Sequence, residues 1–163
     1  MESLQESINE YRKQLEKGAI QAAYRGLMDY MMALRTFFKN KYPDHFVSGI
    51  YYGYMDMTYF SFVPQSLKKR NLKVAIVFLH ETCRFEAWLA GVNKQVQTSV
   101  WNLLKESGWK QYRLVPTTRG ADAIVEHTLV DNPDFCNLDA LTAQIERETL
   151  TFVSAFEAFF AAH

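Results

Sequence analysis

Leu4, Ile8, Tyr11 and Leu15 recur at steps of four, three and four. That spacing puts them on one stripe of a helix. Ser3-Leu4-Gln5-Glu6 and Ser7-Ile8-Asn9-Glu10 both have capping-box form, so the pattern leaves two places for the helix to start. Gly18 supplies a stop. Ile20, Tyr24, Leu27, Met31, Leu34 and Phe38 continue the same spacing in a second helix, which Pro43 closes. From Val47 to Val63 the period drops to two. Tyr52, Tyr54, Asp56, Thr58, Phe60 and Phe62 form one set, and Tyr51, Met55, Met57, Tyr59 and Val63 the other. Both sets are largely apolar, which predicts a strand covered on both faces, with Gly49 and Gly53 as places for a bend.

Leu72 to Glu81 alternates again, with Leu72, Val74, Ile76, Phe78 and His80 on one side. A third strand is expected at Arg84–Ala90 after a tight connection, which suits an antiparallel meander. One helical turn fits between Gln65 and Asn71. Asn93 reads as an N-cap, and Val96, Val100, Leu103 and Leu104 form the stripe of the helix it opens. Short strands are expected at Tyr112–Pro116 and Ala123–Val130. A final helix from Asn137 carries Leu138, Leu141, Ile145, Phe152, Val153, Phe156, Phe159 and Phe160. The order predicts an α+β fold. A mainly antiparallel sheet of four to five strands packs with long N-terminal and C-terminal helices in one domain over residues 1–163.

Composition narrows the class. Lysine plus arginine equals aspartate plus glutamate at 18 each, so there is no basic excess of the kind nucleic-acid binders show. Lys68-Lys69-Arg70 falls in an expected loop and reads as a solvated turn. Cys83 and Cys136 are far apart and form no C-x-x-C, which fits a reducing cytoplasm. The polar N-terminus has no signal-peptide pattern, and no apolar run is long enough to span a membrane. Aromatic residues make up 15% of the chain, enough to expect an apolar surface that a partner covers, a second copy included.

The chemistry is sparse. No G-x-G-x-x-G, Walker A, G-x-S-x-G or H-E-x-x-H occurs, and the four histidines show no metal spacing. No cofactor or metal is expected. Arg84 and Glu86 lie two apart on one strand and share a face with Trp88. They read either as an ion pair that closes the sheet surface or as a site gripping a polar ligand, with Trp88 stacking on Arg84. Asp56 and His80 are candidates to join them from neighbouring strands, although His80 follows an apolar set, where a lone histidine is more often a satisfied core residue. Asn93 and Lys94 open a helix, where anions are attracted.

Three stretches are distinctive: Gly53–Phe60, Arg84–Lys94 (RFEAWLAGVNK) and Ile124–Phe135 (IVEHTLVDNPDF). Together they resemble a family of small bacterial proteins of unknown function. The resemblance implies a bacterial, cytoplasmic, single-domain protein and transfers no catalytic residue. The expectation is a binding or interaction protein, a homodimer, with a small polar-ligand pocket on the sheet near Arg84, Glu86, Trp88, Asp56, His80, Asn93 and Lys94. The alternative is an enzyme of unrecognised class, a hydrolase or a degenerate nuclease-like protein using Asp56 and Glu86. Glu86 is followed by Ala87-Trp88, so the lysine of a Glu-x-Lys motif is missing.

Overall fold

The computed structural model describes residues 3–163. The chain clusters into two compact units that meet at Leu34–Arg35. The first holds α1 (Leu4–Glu16) and most of α2 (Ala19–Lys41). Ser3, not Ser7, caps α1: its hydroxyl accepts from Glu6 N at 3.2 Å, and the Glu6 carboxylate accepts from Ser3 N at 2.7 Å. That reciprocal pair satisfies two N-terminal donors at once. Gly18, at φ +78°, takes the left-handed conformation that ends α1.

The second unit is built on a six-stranded antiparallel sheet, ordered β1-β2-β3-β4-β6-β5. Its strands are β1 (Phe46–Val47), β2 (Met57–Val63), β3 (Leu72–Leu79), β4 (Arg84–Gly91), β5 (Arg113–Leu114) and β6 (Val125–Val130), with α3 (Gln65–Lys68) between β2 and β3. The sheet exceeds the four to five strands expected, because Val47–Val63 is a folded-back hairpin. Val47 pairs with Phe62, and Tyr51 bridges Tyr59. The turn lies at Gly53–Asp56, where Gly53 (φ +76°) leaves no room for a Cβ: the Met57 carbonyl oxygen would lie 2.0 Å from it. Unbroken apolar alternation on both sides of this turn hides it in the sequence.

The two sheet faces differ in burial. Phe60, Phe62, Val74, Ile76, Phe78, Phe85, Ala87, Leu89 and Val125 line the inner face and are almost completely buried. Phe38 of α2 packs here on Phe60 and Phe62, at ring separations of 6.0 and 5.1 Å. Helix α5 (Leu138–Ala162) stacks Phe152 on His127. Arg70 ties the end of α5 to the sheet unit by donating to the Phe160 carbonyl at 2.9 Å and lying over its ring. This accounts for one member of the Lys68–Arg70 run.

The outer face is only partly covered: β2 is buried on both sides from Phe60 to Val63, as its composition predicts, while Met57 and Tyr59 are half-buried. Tyr59, Lys73, Leu79, Arg84, Trp88, Glu126 and Thr128 are half-buried there. Short Ala75 and Val77 are buried between Tyr59 and Trp88. Helix α4 (Lys94–Glu106) connects β4 to β5 and carries the chain past the sheet edge, so that β6 pairs directly with β4. That return puts the RFEAWLAG and EHTLVDNPDF segments side by side.

Candidate functional site

Glu86 is the most deeply placed charge of the outer face, with a side chain only 5% exposed. It accepts from both Nε and Nη2 of Arg84 on one carboxylate oxygen, each at 2.7 Å, and from Trp88 Nε1 on the other at 2.8 Å. All three residues come from β4 and point the same way because they are two apart. Glu86 therefore joins Arg84 to Trp88, in place of the direct cation–π stacking expected of that pair. A buried carboxylate is tolerable only when its lone pairs are matched in this way.

The register brings β6 and β5 to this row. Glu86 lies opposite Thr128, Trp88 opposite Glu126, and Arg113 of β5 opposite Glu126. Strand β5 pairs only with Val125 and Glu126, so the outer edge of His127–Val130 has no strand beside it. Where β6 outruns β5, a cleft of about 450 Å³ opens between Arg84, Glu86, Arg113, Glu126, Thr128 and Lys110. Tyr112 and His127 form its rim, with ring centroids 4.4 Å apart.

The charges in this cleft are not equally committed. Arg84 is spent on Glu86, with Asp131 a further 4.0 Å from its Nη1. Arg113 Nη1 contacts Glu126 at 3.3 Å while its side chain stays 67% exposed. Burial, reinforced by the nearby Glu86 charge, pushes the Glu126 carboxyl above its ordinary range, against the opposing pull of Arg113 and Arg84. Lys110 is exposed and makes no ion pair among the described residues. Among the lining side chains, Arg84, Lys110 and Arg113 thus face only Glu86 and Glu126 as carboxylates.

The other expected site residues lie elsewhere. Asp56 precedes β2, and the register puts it two strands and about three residues from Glu86, roughly 10 Å across the sheet and 10 Å along it. Its carboxylate accepts from Tyr54 N at 2.9 Å and closes the Gly53–Asp56 turn. His80 lies across the sheet from Arg84, on the inner side. The Thr58 hydroxyl donates to the Tyr52 carbonyl at 2.7 Å, so its oxygen accepts from His80 Nε2 at 2.8 Å, which fixes a proton on that nitrogen. Asn93 and Lys94 sit at the far end of β4. There Asn93 caps α4 through Val96 N, and Gly91 passes so close to Gln97 N that a Cβ would lie 2.7 Å away. Lys110 and Arg113 are not among the expected site residues, and Glu126, next to His127 on one strand, reads in the sequence as structural. Their one signal is the i,i+2 logic of β4 carried across a pairing with β6 that the long stretch between Gly91 and Val125 conceals.

A family model described as Domain of unknown function (DUF7000) matches residues 4–160. The chain belongs to this family. Its span takes in all three distinctive stretches, and with them the three strands that line the cleft. Searches of curated proteins and of solved structures each find no match. Among the described residues no three His, Cys, Asp or Glu side chains are grouped to hold a metal ion, and no helix is long and apolar enough to cross a membrane.

Two histidines set the expected pH response. Burial holds His80 and His127 below the ordinary imidazole range, partly opposed by Asp56 and Glu148 respectively. The unfolded chain thus binds protons that the folded chain resists. Their contribution to stability is complete above about pH 6.5 and falls as the pH drops from there through the lower folded values. Glu126 acts in the opposite sense: its raised folded value contributes stability that is lost as pH rises through it. Urea midpoints should therefore rise between pH 5.5 and 7, and His80→Asn should flatten that rise. A midpoint that is level or falling over this range contradicts the assignment.

Proposed function

We propose that the protein binds a small anionic ligand, one presenting carboxylate or phosphate oxygens, in the cleft where β6 outruns β5. The observation that carries this reading is the imbalance of committed charge: Glu86 is engaged by Arg84 and Trp88, while Lys110 makes no ion pair among the described residues and Arg113 is mostly exposed. Guanidinium and ammonium groups facing a partly desolvated floor suit oxyanions, with Arg supplying directional pairs and Lys a point charge. A volume of about 450 Å³ suits a metabolite-sized ligand. The role of the floor is positional: Glu86 holds Arg84 and Trp88 in place, and Arg113 exchanges Glu126 for the ligand.

This reading favours binding over nuclease-type hydrolysis. Asp56 and Glu86 stand in separate places, and each is already occupied by its own donors. We take the protein to be bacterial and cytoplasmic. Both cysteines are exposed and unpaired, as suits a reducing compartment.

Isothermal titration with inorganic phosphate and with citrate tests the proposal. The wild-type chain should bind at least one of them with a salt-dependent affinity. Lys110→Ala/Arg113→Ala, at two exposed positions, should weaken binding about tenfold or more, about 1.4 kcal/mol, with an unchanged melting temperature. Binding of neither probe, or equal binding by the variant, overturns it.

A further inference from the structure

Among the described residues, helix α1 presents a largely exposed apolar stripe. Leu4 is 78% exposed, Tyr11 56% and Ile8 42%, and no residue of the helix is buried. The same holds for every residue from 3 to 29. A helix of 13 residues is marginal in water by itself, and its persistence depends on burying an amphipathic face. Ile8, Tyr11 and Leu15, with Arg12 and Glu16, line a shallow apolar groove of about 370 Å³ along it.

We propose that α1 is a self-association surface, on which α1 of a second copy packs antiparallel. The spacing is self-complementary. A two-fold axis between Asn9 and Glu10 puts Ile8 opposite Tyr11 of the second copy and Leu4 opposite its Leu15. All four stripe residues then close into layers, as a heptad-type seam requires. The flanking positions are Gln5, Ser7, Arg12 and Gln14, so Gln5 meets Arg12 and Ser7 meets Gln14 with no like charges apposed.

Charge selects the direction. The first half of α1 carries Glu6 and Glu10, and the second half carries Arg12, Lys13 and Glu16, followed by the cap residue Lys17. Antiparallel packing sets the acidic half beside the basic half and opposes the helix dipoles, whereas parallel packing sets like halves together. Charge also argues against a membrane surface. Three acidic and three basic residues between Leu4 and Lys17 leave no net charge, and interfacial helices have a strongly basic polar face.

Sedimentation velocity on the full chain should show a dimer. Ile8→Glu, at an exposed position, should weaken it by about tenfold or more while leaving the melting temperature of the chain unchanged. In a Cys83→Ser/Cys136→Ser background, Ile8→Cys/Tyr11→Cys should form an intermolecular disulfide under mild oxidation, since each new thiol faces the other type. A monomer at every concentration overturns the proposal, and so does a dimer indifferent to Ile8→Glu. Binding of a monomeric wild-type chain to anionic phospholipid vesicles, abolished by Ile8→Glu, overturns it in favour of a membrane-surface helix.

Discussion

A chain truncated at Asn137 should fail to fold. Helix α5 contributes Leu141, Ile145, Phe152, Val153, Phe156 and Phe160 to the core, all almost completely buried. Each such side chain is worth about 1.5–3 kcal/mol when buried. Together they amount to roughly 9–18 kcal/mol, as large as the whole net stability of a typical domain, about 5–15 kcal/mol. The loss also uncovers the part of the inner face that α5 packs on, leaving α2 to cover the rest. Trp109 would lose its stack on Phe156 at 4.8 Å, and His127 its stack on Phe152 at 5.9 Å. Tyr42 would lose Glu146, which accepts from its hydroxyl at 2.9 Å and, with burial, pushes that hydroxyl up to about 12. The truncated product should therefore be insoluble or show no cooperative melt by circular dichroism. A soluble product with a sharp transition would mean that the remaining elements hold a core of their own.

The second large effect is expected from Glu86→Ala. The substitution leaves the Trp88 indole N–H without its acceptor and the Arg84 guanidinium without its counter-charge, in a place where neither is fully solvated. Breaking a buried pair from one side costs about 3–5 kcal/mol. Arg84 is one-third exposed, so water recovers part of that, and about 2–3 kcal/mol is expected. For a chain of this length that corresponds to a fall in Tm of roughly 4–12 °C. Glu86→Gln keeps an acceptor for Trp88 and should lie between the two. Chemical denaturation of the three proteins at pH 7 settles the order. A Glu86→Ala variant within about 0.5 kcal/mol of wild type would show that this row of side chains contributes nothing to stability.

Local periodicity made much of this architecture readable before any coordinates. The steps of α1, α2 and α5 follow one helical stripe each. The pairing of β3 with β4 follows from two alternating runs and a four-residue turn, and Arg84-Glu86-Trp88 share a face by spacing alone. The failures have a common cause. The hairpin in Val47–Val63 depends on Gly53 and on Met55 at φ 65°, a backbone choice that apolar alternation does not reveal. The second half of the cleft depends on α4 returning the chain so that β6 pairs with β4, a tertiary event with no local mark. Asp56 looked like a strand residue facing the site because period two was carried through a turn where it does not apply. His80 was weighed as a core residue as well as a site residue, and its bond to Thr58 on the inner side of the sheet fits the former.

The central claim is that the cleft beside Arg84 and Glu86 receives an anion. The most direct measurement is a ¹H–¹⁵N correlation spectrum of the full chain titrated with inorganic phosphate. Saturable shifts confined to Lys110–Arg113, Glu126–Thr128 and the Trp88 indole are expected, with the Asp56 turn and the α4 N-terminus at Asn93–Lys94 unmoved. Shifts at Asn93–Lys94 alone, or none at the cleft, would contradict it.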